Sequence, residues 1–396
     1  MKKAIPWQLL LIVLVLLATS SNGLASPTYY FRDLGVFDGI SSSASGLNDS
    51  RQVVGRINYA GGFQGFSWTQ ALGMELLGPL APGKNYRGYR VNNSGNIAGW
   101  GWDSTDIQQG FYKPAGAPSQ VLQILSGPFP YTLAQSLNES NNIVGFSNNA
   151  DASMKAVVWW NAAAAPQVLG SLGGDLAPGR AMDINNSQQI VGFSHTQKYD
   201  INDTNHDRPF YWTEGTGMVK MGTLRTDPDT GSGEANAINN AGLIIGVAET
   251  DSGVRQAFWS PLYSGFVVAL AGLGGQGVYG GYDYYSYAFD VNDSNQTVGF
   301  TYNAANVRRA CFWDDDNAWA VQDLNDLVVN LPPGVSLMAA TGINAAGDIV
   351  GVTSTNHAFI ISQDPSITIT PVPGSLLLLG SGLLGLGGFA WRRLGR

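Results

Sequence analysis

One nine-residue phrase occurs seven times in this sequence and constrains the fold more than any other feature. Its copies read LNDSRQVVG, VNNSGNIAG, LNESNNIVG, INNSQQIVG, INNAGLIIG, VNDSNQTVG and INAAGDIVG, beginning at Leu47, Val91, Leu137, Ile184, Ile238, Val291 and Ile343. The Asn in second position recurs at intervals of 44, 46, 47, 54, 53 and 52 residues. Intervals of this size are typical of four-stranded propeller blades.

Each phrase is predicted to be a hairpin: an aliphatic residue ends one strand, Asn opens a turn, and a second strand follows. The fourth residue of the turn is Gly or Asn in five copies: Gly95, Asn141, Gly242, Asn295 and Gly347. These two residue types best tolerate the left-handed conformation that a type I turn with a bulge requires. Arg51 and Gln188 occupy the same place in the other two copies and should be slightly strained there.

Two further strands flank each hairpin. An aromatic strand follows it, as in GFSW at Gly65 or HAFII at His357, and a Leu-Gly strand precedes it, as in RDLG at Arg32. We therefore expect units of four strands in the order Leu-Gly strand, hairpin and aromatic strand, with the Asn turn between strands two and three. No unit offers the periodic stretch that a helix would need.

Seven such units predict an all-β, seven-bladed β-propeller, because one four-stranded unit cannot bury both faces of its sheet. The 51 glycines and the low charged fraction of 13% agree with an all-β chain rich in turns. A β-solenoid or a pair of β-sandwiches is the alternative fold. The repeated aromatic residues should be core between blades, and we do not read Trp68, Trp160, Trp212, Trp259 and Trp313 as sugar-binding residues.

The combined pattern resembles the HAF repeats of predicted extracellular bacterial proteins. The eponymous triplet stands here as His357-Ala358-Phe359, and the resemblance covers residues 31–361. It implies export and repetition, but it implies no particular chemistry.

The two ends of the chain have the composition of sorting segments. Residues 1–25 contain Lys2 and Lys3, an apolar run from Leu9 to Ala18 and small residues before a cleavage point, which predicts a secretory signal peptide. Residues 374–391 carry no charge and are long enough to span a bilayer. A basic tail, residues 392–396, follows with Arg392, Arg393 and Arg396, so the preceding chain should lie outside the membrane.

This C-terminal arrangement resembles the PEP-CTERM sorting signal of Gram-negative bacteria, with Pro371, Val372 and Pro373 in place of the usual Pro-Glu-Pro. The resemblance implies an exosortase-type processing enzyme as a partner and a protein destined for the cell surface or extracellular matrix. A plain membrane anchor that is never cut is the alternative. The predicted organisation is thus a signal peptide, a propeller over 26–363, a linker and sorting motif over 364–373, an anchor and a tail.

Charge excludes one class of partner. Without the five basic residues of the two ends, 16 basic residues face 29 acidic ones, a balance of about −13. Binding to nucleic acid or anionic lipid through a basic patch is therefore disfavoured. The single cysteine, Cys311, cannot form an intramolecular disulfide.

Loop lengths indicate which face carries function. The Asn turns hardly vary, whereas the loops from the phrase to the aromatic strand range from short to long, and these loops should lie on the opposite face. On that face, the stretch VYGGYDYYSYAFD suggests a saccharide-stacking site, and its candidate ligand-binding residues are Tyr282, Tyr284, Tyr285 and Tyr287. The alternative is that these tyrosines extend a strand and pack on a neighbouring blade.

A second stretch on this face partly fits a calcium loop. Asp200, Asp203, Asn205 and Asp207 have partial Ca²⁺-ligand spacing, although Arg208 replaces the glycine that the sharp turn requires.

No catalytic residues are predicted. The three histidines fall in different units, and neither a nucleophile elbow nor a His-rich metal motif is present in the sequence. We therefore expect an exported, surface-anchored component of the cell envelope or extracellular matrix that binds a partner or has a structural role, with extracellular polysaccharide as a candidate partner. An extracellular propeller enzyme acting on polysaccharide is the alternative, and it would require His, Arg and carboxylates to converge at the axis.

Overall fold

The computed structural model describes residues 27–127, 130–150, 153–175, 177–196 and 207–368. Strands are numbered in chain order, and β1 is Tyr30–Gly35. Blades one to four contain, in order, β2 (Ser41–Leu47), β3 (Val53–Tyr59), β4 (Gly62–Thr69) and β5 (Gly73–Leu76); β6 (Tyr86–Val91), β7 (Ile97–Trp102), β8 (Gln108–Lys113) and β9 (Gln120–Val121); β10 (Thr132–Leu137), β11 (Ile143–Asn148), β12 (Met154–Trp159) and β13 (Gln167–Val168); β14 (Gly179–Ile184), β15 (Ile190–His195), β16 (Asp207–Thr213) and β17 (Gly217–Lys220).

The remaining strands form three more blades. They are β18 (Gly233–Ile238), β19 (Leu243–Glu249), β20 (Arg255–Pro261) and β21 (Val268–Ala269) in blade five, with the added β23 (Gly277–Tyr279) and β24 (Tyr282–Tyr284); β25 (Ser286–Val291), β26 (Thr297–Asn303), β27 (Arg308–Trp313) and β28 (Gln322–Asp323) in blade six, with the added β22 (Gly274–Gly275) paired to β26; and β29 (Leu337–Ile343), β30 (Ile349–Thr353) and β31 (Ala358–Ser362) in blade seven. Within these ranges, helix is confined to the single turn α1 (Leu324–Leu327) and to 3₁₀ turns at Asp315–Asn317 and Pro365–Thr368.

The seven sheets close into one ring. The innermost strands β2, β6, β10, β14, β18, β25 and β29 each contact the next, and β29 returns to contact β2. The N-terminal strand β1 pairs antiparallel with β31, with Phe31 opposite Ile361, and so supplies the outermost strand of blade seven. The predicted seven-bladed β-propeller is confirmed, and the alternative solenoid or pair of sandwiches is wrong.

The order of strands within a blade differs from the prediction. Each Leu-Gly strand pairs with the aromatic strand before it, as β5 pairs with β4, and is the outermost strand of the preceding blade. The Asn turn therefore joins strands one and two of a blade, counted from the axis. Among the described strands, the first is a Leu-Gly strand and the last is an aromatic one, and these two strands, β1 and β31, pair to close the ring.

The predicted turn geometry is confirmed in all seven copies. The fourth turn residue has positive φ throughout, including the two copies that lack Gly or Asn, where Arg51 has φ 59° and Gln188 has φ 61°. A left-handed conformation costs roughly 1–2 kcal/mol for a residue with a Cβ, so these two positions carry the predicted strain.

The Asn of the phrase also joins neighbouring blades, which the turn alone does not require. In every copy its Nδ2 donates a hydrogen bond to the backbone carbonyl of the corresponding Asn in the next blade, and Asn344 donates to Asn48 to complete the circle. The seven Nδ2···O distances lie between 2.9 and 3.2 Å, for Asn48, Asn92, Asn138, Asn185, Asn239, Asn292 and Asn344. All seven side chains are buried, so each of these bonds is shielded from water.

The last residue of the phrase is Gly because two strands approach closely there. A Cβ at Gly299 would overlap the backbone carbonyl oxygen of Tyr287 on the innermost strand, and the corresponding overlap occurs at the other six copies. The equivalent residues are Gly55, Gly99, Gly145, Gly192, Gly246, Gly299 and Gly351. Any side chain at these positions would push β-strands one and two of the blade apart.

The hydrophobic core lies between blades, as predicted. One cluster joins Val144 and Val158 of blade three to Ile190 and Phe210 of blade four, and another joins blade seven to blade one. Among the tryptophans assigned to the core, Trp68, Trp212 and Trp313 are buried, while Trp160 and Trp259 are partly buried against these clusters.

The predicted signal peptide (1–25), sorting motif (371–373), anchor (374–391) and basic tail (392–396) lie outside the described residues. Among the residues that are described, no helix is long and apolar enough to cross a membrane.

Candidate functional site

A cavity of about 400 Å³ opens at the centre of the ring on the face opposite the Asn turns. It is lined by the first halves of the innermost strands and by residues near the loops between strands two and three, such as Asn58 and Arg308. This is the face on which the variable loops were predicted to lie. Its volume is within the range of small-molecule sites.

A β-bulge in each innermost strand supplies the wall of this cavity. The register shifts at the same place in all seven blades, three residues before the phrase Asn, where one residue is left without a partner across the strands. All seven bulge residues line the cavity: Ser45, Tyr89, Gln135, Met182, Asn236, Phe289 and Thr341. The bulge is thus a repeated backbone device, but its side chains differ in every blade.

The floor of the cavity is an ion pair across the axis. Arg90 of blade two makes a bidentate contact with Asp290 of blade six, at 2.7 and 2.8 Å. Burial opposes the charge of Arg90, but Asp290 and Asp183 outweigh it, and the pKa of Arg90 lies above its ordinary value. Asp183 accepts from Ser136 at 2.6 Å and from the backbone N–H of Ile238 at 3.0 Å.

A second cavity of about 270 Å³ lies on the Asn-turn face below this ion pair. Its rim is formed by the residues that follow each phrase Asn. The backbone N–H of each of these residues donates to the side chain of its counterpart in the next blade, as Asp49 donates to Asn93 at 2.9 Å. Asp293 is the exception as a donor, because the side chain of its counterpart, Ala345, has no acceptor, whereas the N–H of Ala345 donates to Asp49. These polar groups already bind one another, so the rim of the second cavity is a ring of hydrogen bonds that joins neighbouring blades.

Three arginines line the 400 Å³ cavity without an acidic partner among the described residues. Arg56, Arg87 and Arg308 all face it, and no Asp or Glu occurs among the described residues of its lining. Arg87 donates to Ser45 Oγ at 2.8 Å and lies 4.2 Å from the centre of the Tyr89 ring. Arg308 lies 5.4 Å from the centre of the Tyr279 ring.

The charges of these arginines shift the pKa values of neighbouring groups. Burial lowers the pKa of Arg87, and the nearby charges of Arg56 and Arg180 lower it further. Burial alone would raise the pKa of Tyr89, yet Arg87 and Arg180 outweigh burial and hold the pKa of this phenol below its ordinary value. Both shifts indicate a positive potential inside the cavity.

The predicted tyrosine site is distributed over several environments. Tyr287 lines the cavity, where its ring stacks on Phe300 with centroids 5.7 Å apart. Tyr284 is buried, with its hydroxyl 3.5 Å from Arg255, and Tyr282 is 39% exposed with the Arg255 guanidinium 3.9 Å from its ring centre. Tyr285 is outside the cavity lining.

These tyrosines belong to an added hairpin, β23–β24, and to the strand that follows it. The hairpin joins blade five through a parallel contact between Arg255 and Tyr284. Much of the stretch therefore packs on a neighbouring blade, as the alternative interpretation expected, while Tyr287 and Tyr279, which was not among the four candidates, face the cavity.

Of the predicted calcium ligands, Asp200, Asp203 and Asn205 lie outside the described residues. Asp207 begins β16, where its Oδ1 lies 2.7 Å from His195 Nε2. The other described histidine, His357, contacts Asp33 at 2.8 Å on blade seven. Neither of these two histidines lines the cavity.

The sequence matches no protein-family model, and no curated protein matches it. Among solved structures, the β-propeller domain of the Trilobed protease from Pyrococcus furiosus is 11% identical, covers 85% of this chain and 98% of that one, and has a TM-score of 0.50. Streptogramin B lyase is 10% identical over 85% and 98% of the two chains, with a TM-score of 0.49, and a putative TolB from Agrobacterium tumefaciens is 9% identical over 63% and 83%, with a TM-score of 0.43.

At these identities the likeness concerns the fold alone, and the first structure supports the propeller assignment. That domain has an open velcro topology, whereas here β1 closes blade seven. The class of protein is therefore a closed seven-bladed β-propeller with an arginine-lined axial cavity.

Sequence reasoning did not identify Arg56, Arg87 and Arg308 as site residues. Arg87 lies five residues before a phrase Asn, and Arg56 lies immediately after a phrase-final Gly. Counting from the phrase would have placed both near the axis once the innermost strand was known.

Proposed function

We propose that the chain is an exported binding component of the cell envelope or extracellular matrix, held at the surface by its C-terminal segment, and that its axial cavity is the binding site. The observation that carries this proposal is the cavity itself. Side chains from all seven blades meet there, and they offer amides, hydroxyls, aromatic rings and guanidinium groups for recognition.

Binding is favoured over the alternative of a polysaccharide-cleaving enzyme by the groups that line the cavity. A glycoside hydrolase requires two carboxyl groups flanking the bond to be cleaved. The described lining contains arginines, but no Asp, Glu or His. The acidic residues on the axis, Asp183 and Asp290, are engaged at the floor of the cavity with Ser136 and Arg90.

A glycan array with the full chain, purified in detergent, tests the proposal. We expect a defined set of glycans to bind and to be recovered with unchanged mass after long incubation. Shortened or unsaturated products would support the enzyme instead. Failure of every glycan to bind would remove polysaccharide as the partner.

Surface anchoring is tested separately by mass spectrometry of protein recovered from cells. If an exosortase-type enzyme processes the chain, the mature protein should end close to Pro373. An intact FAWRRLGR terminus would leave simple anchoring by residues 374–391.

A further inference from the structure

The charge of the axial cavity is opposite to that of the chain. The whole sequence has 29 acidic and 21 basic residues, yet the described cavity lining contains arginines and no carboxylate. A cavity lining with the average composition of this chain would contain acidic residues. We therefore relate this reversal of charge to the ligand that the cavity binds.

Elsewhere in the propeller, several arginines at comparable depth have acidic partners. Arg225 contacts Glu249 at 2.9 Å, Arg309 contacts Asp323 at 2.7 Å, and Arg90 contacts Asp290. Arg56, Arg87 and Arg308 form no salt bridge with any described residue. Partly buried guanidinium groups that have no acidic partner among the described residues can bind an anionic ligand.

Aromatic side chains stand beside these arginines. Tyr279, Tyr287 and Phe289 line the same cavity and contact one another, with the Tyr287 and Phe289 ring centres 4.5 Å apart. The same cavity is also lined by the amides of Asn58 and Gln135. A ligand that fits all three features has an anionic group, one face that packs on aromatic rings and several hydroxyl groups.

We propose that the axial cavity binds an acidic saccharide, with a sugar carboxylate held by Arg87 and Arg308 and the sugar ring packed against Tyr279 and Tyr287. This inference rests on the proposed binding function and specifies its ligand class. The lowered pKa of Tyr89 agrees with it, because the same potential that favours the phenolate favours a bound carboxylate.

The test uses isothermal titration of the full chain in detergent with three probes: trigalacturonic acid, its fully methyl-esterified form and sodium acetate. The ester keeps every ring and hydroxyl group but removes the charge, and acetate keeps only the carboxylate. We expect the acid to bind at least about tenfold more tightly than either of the other probes, because a charge-assisted bidentate contact is worth more than about 1.4 kcal/mol.

Variants locate the site. Arg87→Gln and Arg308→Gln should each weaken binding of the acid by about tenfold or more, and Arg87→Lys should restore only part of it, because lysine keeps the charge but loses the planar fork. Lys220→Gln, an equal charge change on an outermost strand, should bind as the wild type does. Thermal unfolding of each variant verifies that the propeller is intact.

The outcomes separate this inference from the proposed function. Equal binding of acid and ester would overturn the acidic ligand but leave a saccharide-binding cavity. Equal binding of acid and acetate would show an anion site without saccharide recognition. No binding of the acid, or binding that survives both Gln variants, would also overturn the inference, whichever glycans the array selects.

Discussion

Arg51 of blade one forms an ion pair with Asp348 of blade seven, with Nε 2.9 Å from Oδ2. The same guanidinium contacts Asp364 at 2.9 Å and Ser362 Oγ at 3.2 Å. Arg51 occupies the left-handed turn position where five other blades have Gly or Asn. The strain of that conformation is thus offset by contacts that tie the first blade to the last, at the point where the ring closes.

Replacing this arginine separates the two effects. Arg51→Asn should relieve the backbone strain but leave the buried carboxylate of Asp348 without its cation, for a net loss of about 1–2 kcal/mol in the free energy of unfolding. Gln188→Asn is the matched control, because it relieves the same conformation at a site without an ion pair, and it should be neutral or slightly stabilising. Urea denaturation measures both. Equal effects of the two variants would argue against ring closure through Arg51.

The same contact gives a pH dependence. Hydrogen bonds from Ser366, followed by those from Arg51, lower the pKa of Asp364 to about 2. A depressed carboxyl pKa contributes stability that is complete above the ordinary value near 4 and is lost as the pH falls through about 2. The difference in melting temperature between wild type and Asp364→Asn should therefore be constant above about pH 5 and shrink towards pH 2. A difference that grows on acidification would contradict this assignment.

The circle of Asn side chains predicts a large cost for a small deletion. Asn239 Nδ2 donates to Asn292 O at 3.0 Å and to Asn295 Oδ1 at 2.8 Å, and its Oδ1 accepts from the backbone of Leu243. Asn239→Ala should lower the free energy of unfolding by about 2–3 kcal/mol, because buried groups of both blades lose partners. The neighbouring exposed Asn240→Ala should cost no more than about 1 kcal/mol. Similar losses for both variants would show that the buried Asn acts only as a turn residue.

Blade seven offers a stabilising substitution. Ala345 occupies the ring position at which the other six blades have a polar side chain that accepts the N–H of the preceding blade. Ala345→Asn should supply the missing acceptor for Asp293 and raise the free energy of unfolding by about 0.5–1 kcal/mol. Ala346→Asn, one residue further along the same turn, is the control without such a partner. A gain in both variants would point to turn propensity instead of the inter-blade bond.

The sequence was sufficient to predict the blade number, the turn conformation and the inter-blade core, because each depends on a local pattern that recurs seven times. It did not reveal that the Leu-Gly strand belongs to the preceding blade. Both neighbours of that strand along the chain have the same alternating character, and only the strand pairing, as of β5 with β4 and of β1 with β31, distinguishes the two arrangements. The hydrogen bond from the phrase Asn to the next blade was also not predicted, because the turn alone is enough to explain an Asn at that position.

The cavity was harder to predict for a different reason. Many of its residues lie at the same bulge or next to it, but side chains such as Ser45, Gln135 and Phe289 share no chemistry. The backbone position recurs in every blade, whereas the side chain that it carries differs. Residues that recur in all blades hold the ring together. Residues that vary at a recurring position form the site.

The central claim is that ligand enters the axial cavity from the variable-loop face. Ser41 lies at the mouth of the cavity and Ser50 lies on the Asn-turn face, at the two ends of the same stretch of blade one. Cysteines introduced at these positions can be labelled selectively, because the native Cys311 is buried and burial raises the pKa of its thiol well above the ordinary value.

The decisive measurement is the affinity of the Ser41→Cys and Ser50→Cys variants for the tightest glycan from the array, before and after labelling with a bulky maleimide-polyethylene glycol. The account predicts that the label abolishes binding at position 41 and leaves it unchanged at position 50. Binding that survives the label at 41, or is lost with the label at 50, would contradict it.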